Sequence, residues 1–487
     1  MEKSISIKKN MIMNIILTGS NFLFPLITFS YAARILQPEG TGKVAFAMSM
    51  LSYFSWIATL GIPMYGIRQC AKVRNNRYEL SKCVQELFTI NIFSTILAYV
   101  VLFVALFIVP EMHQEKELYV VISIQMLLNT IGMEWVYQAL EKYSYITIRS
   151  IIFKCVSVVL ILVLVKNPDD YILYGGLNII ASSASNIVNF IHIRKYVSFT
   201  PIKHKEYRKH LRPIMTLLAS TVIITIYSNF DVVMIGFLKG DNVVGMYNAA
   251  LKIKNIVLST STAITAVIIP RMSTYYQNND INKFRELGLK SLMVSTIFAF
   301  PLATFILINS SDVLSFISGS SYIPASNTLR ILMLCTYALI ITNLFGVQFL
   351  IPMGMESRYS QSVFIGLFIN IILNFLLIPS FGSAGAAVGT LVTEIFNVYW
   401  MSKGIPKERN FIIKSYNFRP YFWGIFVAVF LNFIAILLMP NYNTFLRLII
   451  LSFIFFGAYY VTLLLLKESL LLSTYNKYYK KMMKKNK

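Results

Sequence analysis

The stretch PYFWGIFVAVFLNFIAILLM, residues 420–439, runs for twenty residues without a charged side chain. As an α-helix rising about 1.5 Å per residue it is about 30 Å long, the thickness of the hydrocarbon core of a bilayer. Similar segments recur along the whole chain of 487 residues, which is 56% hydrophobic and only 13% charged. Soluble proteins carry about 25% charged residues. The sequence therefore predicts an all-α, polytopic membrane protein.

About fourteen transmembrane helices are predicted from the lengths of these apolar segments. The first segment is too long and too polar at its far end for a cleavable signal peptide, so we expect it to remain as the first span. The predicted spans are 11–36, 43–65, 83–109, 117–140, 145–165, 171–193, 213–238, 243–269, 291–309, 325–350, 359–379, 383–402, 420–439 and 445–466.

The net charge of +23 is unevenly distributed between the connecting segments. With the N-terminus inside, most of the 44 lysines and arginines lie on the inner side. This asymmetry predicts cytoplasmic N- and C-termini and a basic cytoplasmic face that contacts anionic lipid. It also argues against nucleic acid as a partner. The four cysteines include no CxxC pair, so neither a metal site nor a disulfide is expected, and no motif indicates a cofactor.

Two parts of the chain resemble each other at an offset of about 205 residues. LQPEGTGKVAFA, residues 36–47, resembles LKGDNVVGMYNAA, residues 238–250, and the match pairs Gly42 with Gly245. One period contains six spans, so the two copies enter the membrane in the same direction. We therefore predict two six-helix lobes around a central cavity, plus an appended helix pair. The predicted divisions are 1–205 for the N-terminal lobe, 206–405 for the C-terminal lobe, and 406–487 for the helix pair with the basic cytoplasmic tail.

Four longer segments resemble one family. They are SNFLFPLITFSYAARILQPEGTGKVAFA (20–47), QMLLNTIGMEWVYQALEKYSYITIRS (125–150), SNFDVVMIGFLKGDNVVGMYNAALKIKN (228–255) and IPSFGSAGAAVGTLVTE (378–394). These segments are similar to those of bacterial polysaccharide repeat-unit flippases of the Wzx/RfbX type, which serve O-antigen or capsule synthesis. The family lies in the multidrug/oligosaccharidyl-lipid/polysaccharide exporter superfamily.

The resemblance implies translocation of an undecaprenyl-diphosphate-linked oligosaccharide across the bacterial cytoplasmic membrane by alternating access. Possible partners are a coupling ion, H⁺ or Na⁺, and a polysaccharide polymerase. A peptidoglycan-precursor lipid flippase and a drug/cation antiporter of the same superfamily stay open as alternatives. A membrane polysaccharide polymerase or glycosyltransferase would need a large outer loop and outward-facing catalytic groups. The outer connections are short and carry no nucleophile–base pair, so we do not expect an enzyme.

Charged residues inside the spans are the candidate site, because each costs about 2.5–3.5 kcal/mol to insert and usually faces a cavity or a partner. Lys252 and Lys254 lie near the middle of span 8, and Lys154 is similarly deep in span 5. Basic groups can replace the hydration of a lipid diphosphate, although salt bridges between helices would also explain them. The predicted cavity residues are Lys154, Lys252, Lys254, Arg34, Arg271, Asn229 and Asp231. A polar stripe in span 6 either lines the cavity or joins helices: Ser182, Ser183, Asn186 and Asn189.

Glu134 lies in span 4, about two turns from the predicted cytoplasmic boundary. Spacings of four and three residues put Glu134, Gln138 and Glu141 on one stripe of a helix. Arg149 and Lys154 of span 5 are the predicted partners of this stripe. It would act either as a structural gate or in substrate or proton handling. The predicted gate or coupling residues are Glu134, Glu141, Arg149 and Glu394.

Overall fold

A computed structural model describes residues 7–202, 206–439 and 443–472. The backbone in these ranges is largely helical and contains no β-strand. Ten helical segments in the described ranges are long and apolar enough to cross a membrane. The predicted all-α, polytopic membrane fold is therefore confirmed. Each predicted span falls largely on helical backbone, and the count of fourteen crossings stays a prediction. The basic tail, from Lys477, lies outside the described residues.

The chain forms two compact units, Met1–Asn248 and Ala249–Lys487, and the boundary falls within one helix, α11. The predicted lobe boundaries stay a prediction. The first unit contains α1 (Ile7–Thr59), α2 (Ile62–Val73), α3 (Arg77–Ile108), α4 (Pro110–Gln114), α5 (Lys116–Gly132), α6 (Glu134–Ala139), α7 (Tyr143–Leu164), α8 (Tyr171–Ile179), α9 (Ser185–His192), α10 (Arg208–Lys239) and the start of α11 (Asp241–Gln277). The second contains the rest of α11, α12 (Ile281–Ile308), α13 (Ser310–Ser318), α14 (Ser326–Thr342), α15 (Glu356–Phe381), α16 (Ser383–Gly404), α17 (Pro406–Ser415), α18 (Arg419–Leu438) and α19 (Thr444–Leu465).

Helix α1 includes the first predicted span and most of the second. Its two arms meet at Gln37, whose φ of 58° and ψ of 178° are not helical. Pro38 follows directly, and a proline disfavours helical backbone at the residue before it. The second arm ends at Thr59, short of the predicted residue 65, because Leu60 and Gly61 both have positive φ. The chain then enters α2 as a separate helix.

In both units many large apolar side chains are exposed, and the interior contains polar residues. Phe107 of the first unit is 66% exposed and Phe453 of the second is 77% exposed. Lys154, Asn91 and Glu394 are buried. This distribution is the one expected where lipid surrounds the helices and polar groups face one another inside.

Helix α1 is central to the first unit and packs against α3, α5, α7, α8 and α10. In the second unit α16 packs between α14 and α15, while α18 pairs with α19 and also contacts α12. Two segments are π-helical: Ile180–Ala184, between α8 and α9, and Asn343–Leu350, directly after α14. Such segments redirect the side chains that follow them and are frequent at functional sites.

Candidate functional site

Lys154 of α7 is buried in the first unit, with only 6% of its surface exposed. Its ammonium donates hydrogen bonds to Ser20 Oγ at 2.7 Å and to Asn21 Oδ1 at 2.5 Å, both on α1. An ammonium has three N–H donors, so these bonds occupy two of them. In the described part of the chain no carboxylate lies within 4 Å of Lys154 Nζ. The hydrogen-bond partners of this buried charge in the described residues are thus neutral dipoles.

Arg149, on the same helix, is equally buried but has a carboxylate partner. Its Nη2 lies 2.9 Å from Glu134 Oε2, and its Nη1 donates to the carbonyl of Ser185 at 3.2 Å. Gln138 Nε2 donates to the other Glu134 oxygen at 3.2 Å. The pairing of Glu134 with Arg149 that the sequence predicts is present, whereas Lys154 bonds to α1 instead.

Glu141 does not continue the stripe of Glu134 and Gln138, and this part of the prediction is wrong. The predicted single helix breaks at Met133, which has a φ of 41°. The short helix α6 then ends at Ala139, and Glu141 itself has a φ of 57°. The turn directs Glu141 to Arg74, with which it forms an ion pair of two half-exposed side chains. The two carboxylates therefore have separate partners.

A chain of amides links α5 with α9 beside the π-helical segment of the first unit. Ser183 Oγ and Asn186 Nδ2 both donate to Asn129 Oδ1, at 3.0 and 3.1 Å. Asn189 Nδ2 donates to Asn186 Oδ1 at 3.4 Å. The stripe predicted in span 6 therefore joins helices in this structure. Asn129, like Ser20 and Asn21, was not among the predicted residues, although each is a polar residue inside an apolar run.

Gly42 and Gly245, the pair matched by the internal repeat, bring α1 and the start of α11 into backbone contact. A Cβ on Gly42 would lie 1.8 Å from the carbonyl oxygen of Asp241, and one on Gly245 would lie 1.9 Å from that of Pro38. Only glycine permits so close an approach. Next to this crossing, Lys43 forms a 2.8 Å ion pair with Glu115.

The remaining predicted residues of the first unit are spread over two helices. Asp231 of α10 is buried and accepts a 2.7 Å hydrogen bond from Tyr247 Oη. Asn229, two residues earlier, is half-buried. Arg34 is exposed on the first arm of α1, one turn before Gln37. Among the described residues, the hydrogen bonds of the Lys154 ammonium go to Ser20 and Asn21 and not to these three residues.

In the second unit Lys252 and Lys254 are half-buried on α11, and Arg271 is exposed further along the same helix. Residues two apart on an α-helix point to different faces, so the two lysines do not form one cationic pair. Glu394 of α16 is 2% exposed and accepts a 2.9 Å hydrogen bond from Thr342 Oγ1 of α14.

The second unit also has an apolar groove of about 540 Å³ beside α18, which we call the α18 groove. Residues of α12, α14 and α16 form its other walls. Its polar atoms include the hydroxyls of Thr304 and Tyr337, which bond to each other at 2.7 Å. The lining residues are Phe300, Thr304, Tyr337, Ala338, Ile341, Ile395, Val398, Phe418, Phe422 and Ile425.

Two family models match the sequence. One, described as polysaccharide biosynthesis protein, matches residues 7–276, and the other, MatE, matches residues 217–377. The putative O-antigen transporter of Escherichia coli (strain K12) is 25% identical over 396 residues, which are 80% of this chain and 94% of that protein. The putative O-antigen transporter of Shigella dysenteriae is 24% identical, over 82% of this chain and 100% of that protein.

Among solved structures, the lipid II flippase MurJ in an inward closed conformation superposes with a TM-score of 0.73. The match covers 95% of this chain and 100% of that chain, at 15% sequence identity. At this identity the similarity concerns the fold alone.

Proposed function

The chain belongs to the polysaccharide biosynthesis protein family, and we propose that it is a flippase for undecaprenyl-diphosphate-linked oligosaccharide repeat units. The observation that carries the proposal is the similarity to O-antigen transporters over 94–100% of their length. These relatives are transporters rather than catalysts, and the proposed activity is transport without a chemical step. The proposed location is the bacterial cytoplasmic membrane, with both termini in the cytoplasm.

The substrate has an anionic diphosphate between an apolar prenyl chain and a polar glycan. Lys154 suits the diphosphate, because its hydrogen-bond partners in the described residues are neutral and occupy two of its three N–H donors. Charge-assisted hydrogen bonds to a phosphate are about twice as strong as neutral ones. Lys252, Lys254 and the arginines Arg34 and Arg271 are further proposed contacts along the route.

The α18 groove suits the prenyl chain. Its walls are aromatic and aliphatic, and its volume of about 540 Å³ lies in the usual range of ligand pockets. The hydroxyls of Thr304 and Tyr337 satisfy each other, so an apolar chain would leave neither without a partner. In this proposal the chain remains in apolar surroundings while the headgroup crosses.

In the proposed alternating access, the contact between Gly42 and Gly245 is a gate that closes and opens. A Gly42→Val change would place a side chain on the carbonyl of Asp241, so that the two helices could not meet. We expect loss of export, and the membrane protein level measured in the same cells distinguishes a blocked gate from a destabilised fold. Gly457→Val is the matched control, because nothing lies within 4 Å of a Cβ at Gly457. Full export by Gly42→Val would exclude this contact as a gate.

Deletion of the gene that encodes this chain, in the cell that naturally carries it, tests the proposed function as a whole. We expect one surface polysaccharide to disappear while its undecaprenyl-linked repeat unit accumulates in the inner leaflet, as measured by mass spectrometry of extracted lipids. Accumulation of peptidoglycan precursor with cell lysis would instead support the peptidoglycan-precursor flippase. Altered drug sensitivity without any lipid-linked intermediate would support the antiporter.

We also propose that an ion gradient drives the transport and that a polysaccharide polymerase and anionic lipid are its partners. Coupling to H⁺ or Na⁺ predicts that export stops when the corresponding gradient is collapsed. A polysaccharide polymerase would take the delivered repeat unit, and anionic lipid would contact the basic cytoplasmic face. The proposed gate or coupling residues in this scheme are Glu134 with Arg149, and Glu394. Glu141, which the sequence predicted for the same role, pairs with Arg74 at an exposed turn, and the scheme gives it no part in transport.

A further inference from the structure

The first unit has a groove of about 530 Å³ between α3 and α5, closed at one end by the short helix α4. We call it the α3–α5 groove. It is separate from Lys154 and from the α18 groove, and the proposed transport does not use it. One wall and the floor are apolar, whereas the closed end is charged. This combination is the chemistry of a membrane lipid rather than of a purely apolar ligand.

The apolar wall comes from two helical stripes. Phe103, Leu106 and Phe107 follow one another at three- and four-residue spacings on α3, and Val120 and Val121 face them from α5. Phe103 and Phe107 are 62% and 66% exposed. A fatty acyl chain fits along this wall because lipid tails are as apolar as these side chains, so discrimination between lipids rests on the headgroup. The volume is within the usual range of ligand pockets.

The closed end of the groove presents one cation beside one anion. Lys116 and Glu117, the first two residues of α5, both line the groove and are both exposed. In the ranges that the structure describes, neither has an oppositely charged side chain within 4 Å. Adjacent residues on a helix do not face each other, so they do not neutralise one another. Both charges remain available to a ligand.

His113 of α4 adds a hydrogen-bond acceptor to this end. Its Nδ1 lies 3.1 Å from the carbonyl oxygen of Leu106, and a carbonyl oxygen can only accept. The ring hydrogen is therefore on Nδ1, which leaves Nε2 of the neutral imidazole as an acceptor. Glu117 and His113 Nε2 together suit a donor with several N–H groups.

We propose that the α3–α5 groove binds a phospholipid with an ethanolamine headgroup. The acyl chain lies along Phe103 and Phe107, the phosphate meets Lys116, and the primary ammonium donates to Glu117 and His113. A choline headgroup has no N–H to donate, and a glycerol headgroup has no positive charge. The groove therefore selects phosphatidylethanolamine over the corresponding choline and glycerol lipids.

Native mass spectrometry of the purified full chain tests this selectivity. The protein is released from micelles containing equal amounts of phosphatidylethanolamine, phosphatidylcholine and phosphatidylglycerol with identical acyl chains, and retained lipids are counted. We expect phosphatidylethanolamine to be retained about two- to fivefold over the other two, the scale of one exposed charge pair. Glu117→Gln should abolish the preference, and Lys116→Ala should lower retention of all three lipids.

Glu111→Gln is the matched control, because Glu111 lies on α4 but does not line the groove. It should leave the preference unchanged, and thermal unfolding of each variant verifies the fold. Equal retention of the three lipids by the unaltered protein would overturn the proposal. So would an ethanolamine preference that survives Glu117→Gln. Preferential retention of phosphatidylglycerol, lost in Lys116→Ala, would identify an anionic-lipid site instead.

Discussion

Arg149 and Lys154 lie five residues apart on α7 and are each 6% exposed, yet their charges are compensated in different ways. Arg149 faces the carboxylate of Glu134, whereas Lys154 faces a hydroxyl and an amide of α1. A buried cation with a fixed anion contributes to structure, and its charge is already neutralised. A buried cation whose partners are only neutral dipoles lowers the stability of the fold. Such a residue is expected where an anionic ligand binds and neutralises the charge. Burial alone therefore does not identify a binding residue, but the kind of partner does.

Lys154→Ala has the largest expected effect. We expect surface polysaccharide to be lost while the protein stays at its normal level in the membrane. The level should hold because Ser20 Oγ also donates to the carbonyl of Leu17 at 2.7 Å and keeps that partner. Lys154→Arg should retain part of the export, and Lys239→Ala, an exposed lysine at the end of α10, is the control. Surface polysaccharide and membrane protein are measured in the same cells. A parallel loss of protein would make Lys154 structural, like Arg149.

Asn21→Asp would convert Lys154 into a residue like Arg149. The new carboxylate would lie where the amide oxygen now sits, 2.5 Å from the ammonium, and would neutralise it. We expect export to fall about tenfold or more, on the scale of a charge-assisted hydrogen bond of 1.5–3 kcal/mol, with no loss of thermal stability. Asn21→Ala keeps the lysine charge uncompensated and should export far better than Asn21→Asp. Equal export by the two variants would remove the distinction between the two cations.

Arg149→Ala should act on stability. It leaves the carboxylate of Glu134 and the carbonyl of Ser185 without their donor. Breaking a fully buried pair costs about 3–5 kcal/mol. Because the Glu134 side chain is 38% exposed, we expect about 1–3 kcal/mol after solvent screening. Thermal unfolding in detergent measures the loss, and the double change with Glu134→Ala should recover much of it. Normal stability combined with lost export would place Arg149 in the site.

Glu141→Gln should have the smallest effect. Its ion pair with Arg74 joins side chains that are 48% and 41% exposed. Exposed pairs contribute less than about 1 kcal/mol and are screened by salt. We expect the melting temperature and the export to stay close to those of the unaltered protein. A large loss of export would show that the end of α6 has a role that its exposure does not indicate.

The membrane fold and the Glu134–Arg149 pair were predictable from the sequence. Apolar runs of about twenty residues determine the spans, and a carboxylate and a guanidinium on consecutive spans are natural partners. The turn at Glu141 was not predictable, because Met133 and Glu141 adopt positive φ without being glycine. Spacing rules assume a continuous helix, so the stripe failed where the helix broke.

The partners of Lys154 could not be derived from the sequence either. Ser20 and Asn21 are more than 130 residues away along the chain, and only the packing of α7 on α1 brings them together. The backbone contact of Gly42 with α11 is a similar case. The repeat pairs Gly42 with Gly245 in sequence, but equivalence between copies does not by itself require them to touch.

As the proposed gate, the contact between Gly42 and Asp241 also bears on how the cell keeps its ion gradients. A route wide enough for a glycan is also wide enough for files of water, which conduct protons and small ions. Where Gly42 meets Asp241 the two backbones leave no room for even a methyl group, so no water molecule fits between them. A contact made by main-chain atoms also has no side-chain rotamers through which it could open. Bulkier residues at Gly42 are therefore expected to make the membrane leaky, which a potential-sensitive dye would report in resting cells.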